Sequence, residues 1–141
     1  MTILVAIDFS EVTDSVINAI PQIAHFDDVI HILYVCEPNP EFVGFDVGPS
    51  SVNDQLNEEF EQKKIQMSLF TSILAEKGYT VKAVQVNGVI ADEVIDYAKK
   101  VKSKMIILGR HGHNAIYNIL VGSVAEEVLK HSPVPVVLVP K

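Results

Sequence analysis

The chain has 141 residues, 48% of them hydrophobic and 21% charged, a balance that predicts one globular domain over residues 1–141 with a core of its own. Its 11 Lys and Arg against 18 Asp and Glu leave a net charge of −7, which argues against the clustered cationic surface that nucleic acid requires. No apolar run reaches the ~20 residues of a membrane helix, and the lone Cys36 excludes an internal disulfide and a cysteine-held metal.

Residues Ile3 to Ile7 are apolar and partly β-branched without polar alternation, as in a strand covered on both faces. The stretch before Asp8 lacks the basic segment and cleavage site of a signal peptide, so a cytoplasmic protein is expected. Val12, Val16, Ala19, Ile20 and Ile23 then share a helical face, and Pro21 predicts a bend near Ile17 to Pro21 because it removes a backbone hydrogen bond. A second strand is predicted from Val29 to Val35. Glu37 to Asp54 carries Pro38, Pro40, Gly44, Gly48 and Pro49 without a sustained period, and is expected to form a long loop, either a lid or a plain surface connection.

Leu56, Phe60, Met67, Phe70 and Leu74 mark a second helix, Val81 to Val86 a third strand, and Ile90, Val94, Ala98 and Val101 a third helix. Lys99, Lys100, Lys102 and Lys104 gather where that helix ends, which suits its dipole and solvation. Met105 to Leu108 is a fourth strand, Val121, Val124 and Val128 mark a fourth helix, and Val134 to Val139 closes the chain as a fifth strand among prolines. Strand and helix alternate throughout, which predicts an α/β fold: an open five-stranded parallel sheet with helices on both faces. Such sheets bind ligands beyond the carboxyl ends of the strands where the winding reverses, so Asp8 and Gly109 face one crevice if the first and fourth strands are neighbours.

Gly109-Arg110-His111-Gly112, followed after nine residues by Gly122-Ser123, lies where a strand hands over to a helix. Glycines there can take positive φ and let amides approach an anion, and a helix N-terminus adds unpaired N–H groups, so the stretch fits a phosphate-wrapping loop. Ser123 and Glu126 spell a capping box at the same helix start. Glu126 and Glu127 would repel a polyphosphate, which implies Mg²⁺ held through phosphate oxygens and water with help from Arg110 or His113. His111 and His113 lack an evident third ligand for zinc, and phosphate or ribose contact is the better use of His111. His25, His31 and His131 are expected to be structural or solvated, and Asp8 either contacts a ligand or caps the following helix.

Three stretches together resemble the universal stress protein family along essentially the whole chain: Val5-Ala6-Ile7-Asp8-Phe9-Ser10-Glu11, the G-x2-G-x9-G-S loop, and His131 to Val139. The resemblance implies a Rossmann-like fold of the adenine nucleotide alpha hydrolase type and places the chain with the family's ATP-binding branch. It implies that Ala6, Ile7, Asp8, Val35 and Leu108 hold adenine and ribose, and that Gly109, His111 and Gly112 contact sugar and phosphates. Gly122, Ser123 and Val124 would present amides and a hydroxyl to the phosphates. The chain departs from the family at His113-Asn114-Ala115 and at Ala125, where basic or hydroxyl residues are frequent, so some phosphate contacts are trimmed.

The function expected is an ATP-binding stress-response module that senses ATP, ADP or AMP and acts through a protein partner or its own dimer. An apolar terminal strand at 134–139 invites pairing with a second copy, and the resemblance implies the same homodimer. No G-x-x-x-x-G-K-[ST] and no lysine within the glycine loop equip it for rapid hydrolysis, so at most a slow ATPase is expected. The alternatives are a nucleotidyl transferase, whose H-x-G-H signature Arg110-His111-Gly112-His113 misses at its first position, and a nucleotide-free interaction module.

Overall fold

Uninterrupted apolar runs become inner strands of a parallel sheet because helices roof both of its faces. The computed structural model describes residues 1–37, 50–111 and 121–141, with the backbone alone at 50–57, 59 and 60. Its elements are β1 (Thr2–Ile7), α1 (Thr13–Ile23), β2 (Val29–Cys36), α2 (Ser50–Glu76), β3 (Thr80–Asn87), α3 (Ile90–Val101), β4 (Met105–Gly109), α4 (Ser123–His131) and β5 (Val136–Val139). They build an open sheet of 5 strands in the order β3-β2-β1-β4-β5, every neighbouring pair parallel. The predicted fold class is the observed one.

Side chains alternate across the central strand and so divide the core in two. Ile3, Val5 and Ile7 pack with Val16, Ile20, Met67 and Leu74 beneath α1 and α2. Leu4 packs with Leu33, Val94, Ala98, Ala125 and Val128 beneath α3 and α4. Both faces of β1 are therefore dry, which is why its sequence shows no polar alternation.

Two helices bear on what was expected. α1 runs unbroken through Pro21 and stops at Ile23, where the Ala24 amide donates to the Ile20 carbonyl at 2.8 Å. Pro21 falls in the last turn, so the bond its missing amide leaves unmade, to the Ile17 carbonyl, is one of the last in the helix, which ends two residues later. α2 begins at Ser50, so Ser50 to Asp54 are helical where a loop was expected. That first part of the helix contains Val52 as its only aliphatic residue and shows no apolar period for a sequence reading to detect. The rest of the expected lid, residues 38–49, lies outside the described residues.

The lysine cluster also divides. Lys99 and Lys100 occupy the last turn of α3 as expected, and Lys102 is its left-handed C-cap at φ 53°. Lys104, expected in solvent, instead donates to Asp28 Oδ2 at 2.8 Å. Asp28 is buried at the amino end of the sheet and also accepts the His25 amide at 2.9 Å. Burial alone would raise its pKa, but the Lys104 hydrogen bond, the His25 amide and the Lys104 charge outweigh it and bring the carboxyl to about 2. His31 is buried with Nδ1 2.8 Å from the Tyr97 hydroxyl; burial, then the Lys82 charge, hold its imidazole below the usual range and favour the neutral ring.

Candidate functional site

β1 and β4 are neighbours, with β2 and β3 on one side and β5 on the other, so the winding reverses between them and a crevice opens at their carboxyl ends. Register aligns Val5 with Ile107, Ile7 with Tyr34 and Gly109 with Val139, which brings the ends of four strands to one level. Ala6, Val35, Leu108 and Val124 all pack on the α3/α4 side. The Ile7 side chain points the opposite way into the α1/α2 core, leaving its main chain for the crevice.

Beyond β1 the chain turns at once. Asp8 Oδ1 accepts the Ser10 amide at 2.9 Å and lies 3.5 Å from the Thr13 hydroxyl, an Asx turn that fixes the carboxylate. Phe9 adopts φ 59°, a left-handed conformation that costs a non-glycine residue about 1–2 kcal/mol. Its ring meets Tyr34 edge-on at 4.8 Å and stacks on Phe70 at 6.2 Å, contacts that hold the turn in place. Asp8 therefore braces the turn; α1 starts after Val12 with no side-chain cap. Ser10 Oγ, buried beside it, has no partner among the described residues.

At the end of β4, glycine is required for closeness and not for positive φ, which among described glycines occurs at Gly78 and Gly88. A Cβ on Gly109 would come within 2.4 Å of Val12 Cγ1 and 3.1 Å of Cγ2. Gly109→Ala is expected to destabilise the fold by about 1–3 kcal/mol in urea unfolding, and Val12→Ala in the same chain to recover part of that loss. Past Gly109, the Arg110 amide donates to the Val139 carbonyl at 2.9 Å and the Gly122 amide to the Arg110 carbonyl at 2.8 Å. The chain thus leaves β4 and re-enters the described structure at one tied point, directly before α4. Gly112 and His113 lie outside the described residues.

The predicted capping box does not form. Gly122 is the N-cap of α4, at φ −67° and ψ 160°, and Ser123 is the first helical residue. Both partners of the box are displaced by one position, and no side chain among the described residues caps the helix. The first-turn amides, beginning with Ser123 and Val124, consequently have no intrahelical acceptor and stand at the positive end of the dipole. Glu126 lies 3.4 Å from Lys130, and Glu127 lies 3.9 Å from Lys130 and 3.6 Å from His131. The acidic charges run toward the basic last turn, which softens the repulsion expected at the helix start. Among the described residues no three His, Cys, Asp or Glu side chains gather to hold a metal, and no helix is long and apolar enough to cross a membrane.

Residues 1–140 match the universal stress protein family. The chain belongs to that family. Universal stress protein MJ0531 of Methanocaldococcus jannaschii is 31% identical over 144 residues, covering 99% of this chain and 81% of that protein. The solved structure of the hypothetical protein MJ0577, from the same organism, superposes with a TM-score of 0.86 at 27% identity over 99% of this chain and 95% of that one. Two more distant structures share the fold. One is a universal stress protein family protein from Arabidopsis thaliana with AMP bound, TM-score 0.71 at 16% identity over 100% and 92% of the two chains. The other is the universal stress protein from Archaeoglobus fulgidus in complex with dAMP, TM-score 0.66 at 19% identity over 99% and 97%.

In this universal stress protein the sequence-predicted residues Ala6, Asp8, Val35, Leu108, Gly109, His111, Gly122, Ser123 and Val124 stand at or just beyond the carboxyl ends of adjoining strands or at the start of α4. Sequence reading missed Ser10 and Thr13 as the residues that orient Asp8. The signal was present as Asp-x-Ser, the pattern of an Asx turn. It also missed Val12, whose contact explains Gly109 and which no local pattern reveals.

Proposed function

We propose that this universal stress protein is a cytoplasmic regulatory module that binds an adenine nucleotide in the crevice between β1 and β4. The observation that carries this reading is the uncapped start of α4, tied through Arg110 and Gly122 to the end of β4. An anion there meets unpaired amides and a favourable dipole without any cationic side chain. Complexes of Arabidopsis and Archaeoglobus family members with AMP and dAMP lend support.

In this reading Ala6, Val35 and Leu108 supply an apolar wall for adenine, the Ile7 main chain borders it, and Asp8, braced by Ser10, accepts hydrogen bonds from ribose. Gly109, His111 and Gly112 contact sugar and phosphate, while Gly122, Ser123 and Val124 offer amides and a hydroxyl. Mg²⁺, when ATP is the ligand, is held by phosphate oxygens and water. The single domain over residues 1–141 pairs with a second copy through the edge strand β5 within 134–139, and conveys nucleotide level to a protein partner.

Mass spectrometry of small molecules released from freshly purified protein should find an adenine nucleotide, and ATP with Mg²⁺ should give heat in calorimetry and a higher melting temperature. The reading falls if millimolar ATP with Mg²⁺ gives neither. Turnover of ~1 per second or faster would move the protein among enzymes.

A further inference from the structure

One row of α2 is apolar where water, not the core, covers it. Met67 and Leu74 of this helix face the core, yet Ile65, Leu69 and Ile73 are 60%, 58% and 41% exposed. The other large exposed apolar residues, such as Phe26 and Val89 in connections and Leu129 in α4, stand apart from one another, where single exposed apolar residues are ordinary. The three α2 residues are spaced by four and so form one continuous ridge. That ridge continues to Glu61 at one end and, in the turn just past the helix end at Glu76, to Lys77 at the other, both exposed. Beside it runs a groove of about 410 Å³ lined by Glu61, Lys64, Ile65, Ser68, Leu69 and Ser72. Ser68 turns its hydroxyl back onto the Lys64 carbonyl at 3.1 Å, so the groove floor is small and locally hydrogen-bonded.

We infer that this ridge and groove form a self-association surface on which α2 of a second copy docks antiparallel. Helices packed nearly antiparallel, about 20° apart, stay in contact along their length and keep both ends of the two ridges within reach of each other, and the groove over Ser68 and Ser72 receives the apolar ridge of the partner. The ridge reads acid, three aliphatics, base. An antiparallel copy sets Glu61 of each chain beside Lys77 of the other, twice over, as a two-fold axis demands. A lipid surface would select a basic rim, and this rim carries both signs. α2 packs on β3, at the opposite edge of the sheet from β5, so this contact is separate from the β5 pairing proposed above and both fit in one assembly.

Sedimentation velocity at increasing protein concentration tests it. Leu69→Glu should halve the mass of the associated species and leave the circular dichroism spectrum and ATP response of the wild type, because residue 69 is exposed and its side chain is not part of the core. Glu61→Lys and Lys77→Glu should each weaken association about tenfold, and E61K/K77E together should restore it, since the swap re-forms both pairs. Wild-type mass in Leu69→Glu overturns the inference. So does a double swap no stronger than either single one, which would mean that the surface meets something other than its own copy.

Discussion

Ser123→Asp is expected to make the protein more stable and a poorer nucleotide binder in the same sample. A carboxylate on the first residue of α4 faces the positive end of the helix dipole and should add about 0.3–1 kcal/mol to unfolding. The same charge would stand where a phosphate is proposed to sit. Unit charges ~4 Å apart at an effective dielectric near 20 repel by ~4 kcal/mol, and solvent and Mg²⁺ screen that to a loss of roughly 10- to 100-fold in ATP affinity. Adenosine, which has no phosphate, should bind the variant as it binds the parent. Calorimetry with ATP and adenosine beside thermal unfolding reads all three effects. Undiminished ATP affinity in a stabilised variant would place the phosphates somewhere other than the start of α4.

Asp28→Asn is expected to cost about 2–4 kcal/mol at neutral pH, among the largest losses available to a single substitution in this chain. Asp28 is buried and joined to Lys104 and the His25 amide, so the variant leaves the Lys104 ammonium beside a neutral amide. Its folded pKa of about 2 lies below the ordinary aspartate value of about 3.9. The unfolded chain therefore binds the proton more readily. The associated stability, about 2 kcal/mol, is fully present above the unfolded value and is lost as pH falls toward the folded one. Urea unfolding at successive pH values should show the parent weakening between about pH 4 and 2 and Asp28→Asn nearly flat across that window. A variant as stable as the parent at neutral pH would show that the ion pair contributes nothing net.

The outline of the fold was legible because burial writes itself into sequence. Ile3 to Ile7 and Met105 to Leu108 are apolar on both faces of the sheet, as is Val29 to Val35 except at His31, and their alternation with helical periods leaves few topologies. Element ends were less legible. Ser50 to Asp54 carry too few apolar residues to show a period, and Ser123 with Glu126 spells a box that the helix start at Gly122 leaves unmade. Lys104 looked like one more solvated lysine because its partner Asp28 is 76 residues away in sequence.

Local patterns of apolar period and chain flexibility were enough to announce the alternating α/β order, the glycine spacing after the fourth strand and the family those features point to. The tertiary structure decided what each residue is for. It set β1 against β4 so that Asp8 and Gly109 share one end of the sheet, and turned Ile7 away from Ala6, Val35 and Leu108. It also made Gly109 necessary through Val12, buried Lys104 with Asp28, and left Ile65, Leu69 and Ile73 in water. Those outcomes depend on contacts between distant parts of the chain, whose geometry exists only once strand order and helix packing bring them together.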